Sequence, residues 1–221
     1  MQPAAQTVGL LLADARLPSG GHAQSSGVEP ALLGGLPVDQ IGLFLAARAR
    51  TTTMVDAATA VVARHAALDC RPMTRIERAW SARTPSGAIR DASRDLGRGL
   101  LRLAAAVWPE ATSSFGDMGA SPPRPLVLGA IAAHTGLDAE TLVRLTIYDD
   151  MACAVAALLK LEPGDPAGGV RLVLEACASM EPHVSRLAAI TEHAHIPAAG
   201  APQAEAWSQD HAVTTRRLFR A

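Results

Sequence analysis

The stretch LPSGGHAQSSGVE, residues 17–29, gathers three glycines, three serines, a histidine, a glutamine and a glutamate between apolar segments. Such residues can build a phosphate cradle, a serine nucleophile or a metal site. A cradle of the GxxxxGK[ST] kind needs a lysine that reaches the phosphates. The chain's only lysine is Lys160, and neither this stretch nor EPGDPAGGVRL, residues 162–172, holds one. The chain itself is therefore not expected to hydrolyse a nucleotide. Ser19, Ser25 and Ser26 lie near His22, but the strand-borne GxSxG turn that presents a serine nucleophile is missing. A structural reading suits these residues better. Gly20-Gly21 supplies unusual dihedrals, and Ser25 or Ser26 caps a helix starting near Gly27.

A second set of candidates lies further on. His193 and His195 are two apart, Glu192 is beside them, and His183 is ten residues before His193. Residues two apart on a helix do not share a face, so His193 and His195 chelate together only where a helix has ended. A tight structural site usually gathers four ligands. Two readings follow: solvated histidines near a helix end, or a small helical metal-dependent enzyme using His183, His193 and His195. Asp149-Asp150 either holds an ion or faces water. Arg90, Arg94 and Arg98 step by four and form a basic ridge, with Asp91 and Asp95 on the neighbouring stripe. Such a pattern is a solvated face or a docking surface.

These candidates must be carried by helices. Hydrophobic residues make up 49% of the 221 and aromatics 3%, so the core is built from Ala, Leu and Val. That composition favours close-packed helices over sheets. Apolar residues recur at helical spacing in most segments. Ile89, Leu96, Leu100, Leu103 and Val107 share one face, and Pro109 ends that pattern. Residues 37–68 read as one long helical stretch weakened by Thr51-Thr52-Thr53. Asp138 caps a helix that runs to Pro163-Gly164, and Pro182 splits the next one. The segment HIPAAGAPQ, residues 195–203, reads as a mobile linker before a final short helix. The expected fold is an all-α, single-domain bundle of about seven to ten helices.

Net charge of −1 demands no basic face, so nucleic acid is not an expected partner. The longest apolar run, residues 151–159, is too short to span a bilayer. The first residues lack a basic stretch and their apolar run ends at Asp14, so no secretory signal is expected. Cys70, Cys153 and Cys177 are odd in number and lack CxxC spacing, so buried free thiols in a reducing cytoplasm are expected.

Five segments, in order, resemble the UreF family of urease accessory proteins in its actinobacterial branch: LLLADARLPSGGHAQSSGVEPA (10–31), ASRDLGRGLLRLAAAVWP (92–109), RPLVLGAIAAHTGL (124–137), YDDMACAVAALLKLEPGD (148–165) and HAVTTRRLFRA (211–221). Gln24 stands where many members have histidine, Ser26 where they have glycine, and Ala212 where they have glutamate. The resemblance implies an all-α homodimer, non-enzymatic and without a cofactor of its own. It would join UreD (also called UreH) and the GTPase UreG to deliver nickel to apo-urease, with GTP bound by UreG. On that view Arg217, Leu218 and Phe219 form an anchor that orders on UreD, with His211, His22, Glu29, Arg94 and Arg98 as further partner contacts. Nickel would pass, if through this chain, by weak transient sites among His22, Glu29, His183 and His193.

Overall fold

Helix boundaries follow the chain's punctuation. A computed structural model describes residues 4–116, 118 and 121–220. Its helices are α1 (Ala5–Leu12), α2 (Val28–Leu33), α3 (Ile41–Arg48), α4 (Met54–Leu68), α5 (Thr74–Arg83), α6 (Gly87–Val107), α7 (Arg124–Thr135), α8 (Ala139–Leu161), α9 (Pro166–Met180), α10 (Val184–Ala188) and α11 (Pro202–Ala212). No strand occurs among the described residues. Asp138 accepts the Thr141 amide at 2.8 Å and so caps α8. Asp165 caps α9 through the amides of Ala167 and Gly168. Pro182 splits α9 from α10, because its missing donor converts residues Glu181–His183 into a 3-10 turn. The three threonines expected to weaken residues 37–68 fall in a π turn, Ala49–Thr53, between α3 and α4. Counted as one rod, α3 and α4 bring the helices to ten.

The centre of the bundle is the pair α4 and α7. Residues 125–132 of α7 are buried on every side, which explains why its apolar pattern has no polar face. Gly129 lets the two backbones touch: a Cβ there would collide with the Ala60 carbonyl and lie 2.8 Å from the Arg64 nitrogen. Helix α6 differs from the sequence reading. Its buried face runs through Ser93, Gly97, Leu100 and Ala104, while Val107 is half exposed. Gly97 sits against the Pro122 carbonyl and Gly99 against that of Ser19, so close approach rather than apolar bulk fixes this face.

Residues from 193 onward run along the body. Arg83 donates to the carbonyls of Ile196 and Ala194, and Ile196 is buried. Helix α11 lays Trp207 directly over Gly34, where any Cβ would strike the indole. The segment that reads as a mobile linker is thus a seated strap, because Ile196, Trp207 and Phe219 give it apolar anchors the local composition hides.

Candidate functional site

The π turn creates the first part of the site. In a regular α-helix, residues five apart lie about 140° apart around the axis. The extra residue of a π turn closes that gap, and Arg48 and Thr53 point the same way. Both reach Asp150 on α8. Arg48 Nε and Nη2 each donate to the carboxylate at 2.9 Å, and Thr53 Oγ1 donates at 2.5 Å. Ser26 lies near the same carboxylate and helps to lower it. Next to this, Arg124 pairs with Asp149 at 2.8 Å. Both aspartates are half-buried. Each is answered by an arginine distant in sequence.

Charge balance differs among the three neighbouring carboxylates. Burial raises the Asp150 carboxyl, but the Arg48 charge and its hydrogen bonds, with Thr53 and Ser26, bring it below the usual range. Burial also raises Asp149, and Arg124 only partly offsets it. Asp56 on α4 accepts the Trp80 indole N–H at 2.7 Å and has no arginine against it among the described residues. Burial pushes its carboxyl up to about 6. A carboxyl raised on folding binds a proton more readily in the folded state than in the unfolded one, so stability grows as pH falls through that value. Urea unfolding should show a gain of about 1 kcal/mol from Asp56 between pH 7.5 and 5. Asp56→Asn should flatten that part of the profile; an unchanged slope would refute the assignment.

These groups floor a cavity of about 190 Å³. Loop residues Gly21, Gln24 and Ser26 roof it, Ile89 and Leu96 of α6 wall it, and Phe219 of the strap closes one side. The loop is tied down by Cys153 of α8, whose thiol donates to the carbonyls of Gln24 at 3.5 Å and Gly21 at 3.7 Å. Burial raises that thiol, so it stays protonated near neutrality and is a poor nucleophile. Of the other two cysteines, Cys177 is half-buried and Cys70 is exposed, which corrects the expectation of buried thiols throughout. Gly20, Ser26 and Gly27 carry φ of 92°, 48° and 81°. Helix α2 starts after Gly27, and Ser25 Oγ accepts the Glu29 amide at 3.4 Å.

Glu29 is the second part of the site. It is 4% exposed. Its carboxylate accepts the backbone N–H of Leu218 at 2.6 Å and of Phe219 at 2.8 Å, and lies 3.0 Å from His211 Nε2. Phe219 is 5% exposed, whereas Leu218 is 65% exposed and Arg217 points outward. Glu29 is thus an internal anchor rather than the surface contact expected, because two main-chain donors and a buried imidazole satisfy it. Phe219 likewise serves its own chain. Lys160 lies 5.4 Å from its ring centroid.

The remaining candidates separate. His22 is exposed at the cavity. His193 lines another hollow, of about 310 Å³, with Arg71 and Glu192. His183 lies in the turn before α10. No group of three or more His, Cys, Asp or Glu side chains able to hold a metal ion forms among the described residues. His183, His193 and His195 are not brought into such a group, and Glu29 is engaged by the strap. The basic ridge is used internally: Arg90 donates to the Thr84 and Pro85 carbonyls, Arg94 pairs with Glu77 over Trp80, and Arg98 pairs with Asp95.

The UreF family model matches residues 38–177. The urease accessory protein UreF of Mycobacterium marinum is 37% identical over 216 residues, covering 95% of this chain and 96% of that protein. Its namesake in Mycolicibacterium vanbaalenii is 40% identical over 163 residues, covering 72% and 75%. No described helix is long and apolar enough to cross a membrane.

Proposed function

This chain belongs to the UreF family of urease accessory proteins, and from that premise we propose that it is a non-enzymatic adaptor of urease maturation. In this reading it acts in the cytoplasm as a homodimer. It binds UreD, recruits the GTPase UreG and regulates its GTP use, and so promotes nickel insertion into apo-urease. Nickel is cargo of the complex and GTP belongs to UreG. The observation that carries the reading is a likeness that covers 95% of this chain and 96% of a urease accessory protein. The side chains of the site support it: a protonated thiol, paired carboxylates and a cavity without a gathered ligand set suit holding rather than turnover. Neighbouring helices α3 and α9 expose Leu43, Val170 and Leu174, surface that suits a protein partner.

The partner-facing part of the strap is then its exposed side, Arg217 and Leu218, held in position by Glu29 and Phe219. Co-expression with a urease operon, with and without this chain, tests the whole reading. Omission should lower both nickel content and urea hydrolysis by at least about tenfold, a loss of 1.4 kcal/mol or more in apparent assembly. Equal nickel and activity in both would refute it. Glu29→Gln tests the strap. It keeps the shape but removes the charge that two amides share, a loss of about 1.5–3 kcal/mol. The variant should fold and pull down far less UreD; undiminished capture would separate the strap from UreD binding.

A further inference from the structure

Residues 20–29 have two sides, and each grips a different thing. On the inner side the loop rests on the ion pair and on α8. Gly27 lies on the Arg48 guanidinium, where a Cβ would approach Nη1 to 3.3 Å. Cys153 holds the carbonyls of Gly21 and Gln24. On the outer side the Ala23 carbonyl accepts the Arg220 N–H at 2.8 Å. Six residues on, Glu29 takes the Leu218 and Phe219 amides and His211. Between these attachments Ser26 takes the left-handed conformation at φ 48°. A non-glycine residue holds such a conformation only where its surroundings impose it.

We propose that residues 20–29 are a clasp that couples the part-buried Arg48–Asp150 ion pair to the C-terminal strap, so that the strap seats only while the ion pair holds the clasp. When the pair is broken, Gly27 loses the guanidinium it rests on, and the left-handed turn at Ser26 and Gly27 relaxes. The Ala23 carbonyl then turns away from Arg220, and the turn that aims Glu29 loosens. Linkage requires the reverse effect as well: unseating the strap weakens the clasp's hold on α8. The device goes beyond the adaptor reading and does not rest on it, since every contact lies within one chain. It gives any partner that grips Arg217 and Leu218 a mechanical line to the centre of the bundle.

The test uses the full-length chain alone. In the forward direction, Asp150→Asn is compared with the wild type by tryptic cleavage after Arg216 and Arg217 under native conditions. Cleavage of a segment that opens locally tracks the population of its open form, and a rise on the order of tenfold is expected. Gly129→Ala, which weakens the α4–α7 contact without touching the clasp, is the control and should leave that rate near the wild-type value. Equal acceleration in both variants means that the strap follows global stability, and it overturns the proposal. In the reverse direction, Glu29→Gln leaves the ion pair intact. Alkylation of the Cys153 thiol by iodoacetamide, mapped by peptide mass, should then quicken several-fold while exposed Cys70 keeps its rate. An unchanged Cys153 rate, with the strap shown by proteolysis to be free, also overturns it. Should Asp150→Asn fail to fold, the reverse arm decides alone.

Discussion

Arg48→Met is expected to lower unfolding stability by about 2–4 kcal/mol, somewhat below the cost of orphaning one partner of a fully buried ion pair, because both side chains keep some exposure. In a chain of 221 residues that corresponds to a fall in Tm of roughly 10 °C. Methionine fills most of the arginine stem, so lost packing contributes little. What remains is the Asp150 carboxylate beside Asp149, with the Thr53 hydroxyl as its side-chain donor. The pH dependence identifies the mechanism. In the wild type Asp150 titrates below the usual range, so its contribution is present above the unfolded carboxyl pKa and fades as pH falls through the folded value. In the variant, burial acts with no arginine against it and the carboxyl is raised. The variant therefore gains stability as pH falls from neutrality, and the gap to the wild type narrows. Urea titrations at pH 7.5 and 5 distinguish this from a packing defect, which would keep the gap constant.

Much of the fold was legible because helix ends are written in local chemistry. Asp138, Pro109, Pro163 and Pro182 each act on backbone groups within four residues, and each marks a boundary the structure has. The buried face of α6 was not legible in the same way. Its apolar stripe pointed to Ile89, Leu96, Leu103 and Val107, yet Ser93 and Gly97 are the residues pressed against other backbone. Small residues are buried because something comes close, and a hydrophobic pattern does not register that. The site hid for a related reason. Arg48 and Asp150 are 102 positions apart, and no spacing rule reaches that far. Glu29 finds two backbone amides 189 and 190 positions away, and main-chain donors leave no mark in the sequence. Local signals marked its pieces, the glycine-rich stretch 17–29 and Asp149-Asp150, and the weak Thr51-Thr52-Thr53 run sits at the π turn that aims Arg48 and Thr53.

Gly129→Ala should destabilise the chain by about 2–4 kcal/mol, although alanine is the better helix former by about 1 kcal/mol. The opposing term is steric. The new Cβ would strike the Ala60 carbonyl and come within 2.7 Å of Ala63 Cβ and 2.8 Å of the Arg64 nitrogen. Two of these three are backbone atoms in the middle of α4, so no flexible side-chain end can give way. Relief requires the α4 and α7 axes to part, and Val61, Leu128 and Ile131, all buried in the same core, then lose contact. Gly168→Ala supplies the sign test. Its Cβ would meet only Asp165 and Arg171 side chains at 3.7 Å or more, so there the helix propensity should prevail and stability should hold or rise slightly. Ala63→Gly combined with Gly129→Ala removes the Cβ contact but leaves the clash with the Ala60 carbonyl, so rescue should be partial at best. Urea midpoints for the three variants decide the matter. Full rescue by Ala63→Gly would mean that side chains, and not the α4 backbone, set the distance between the two central helices.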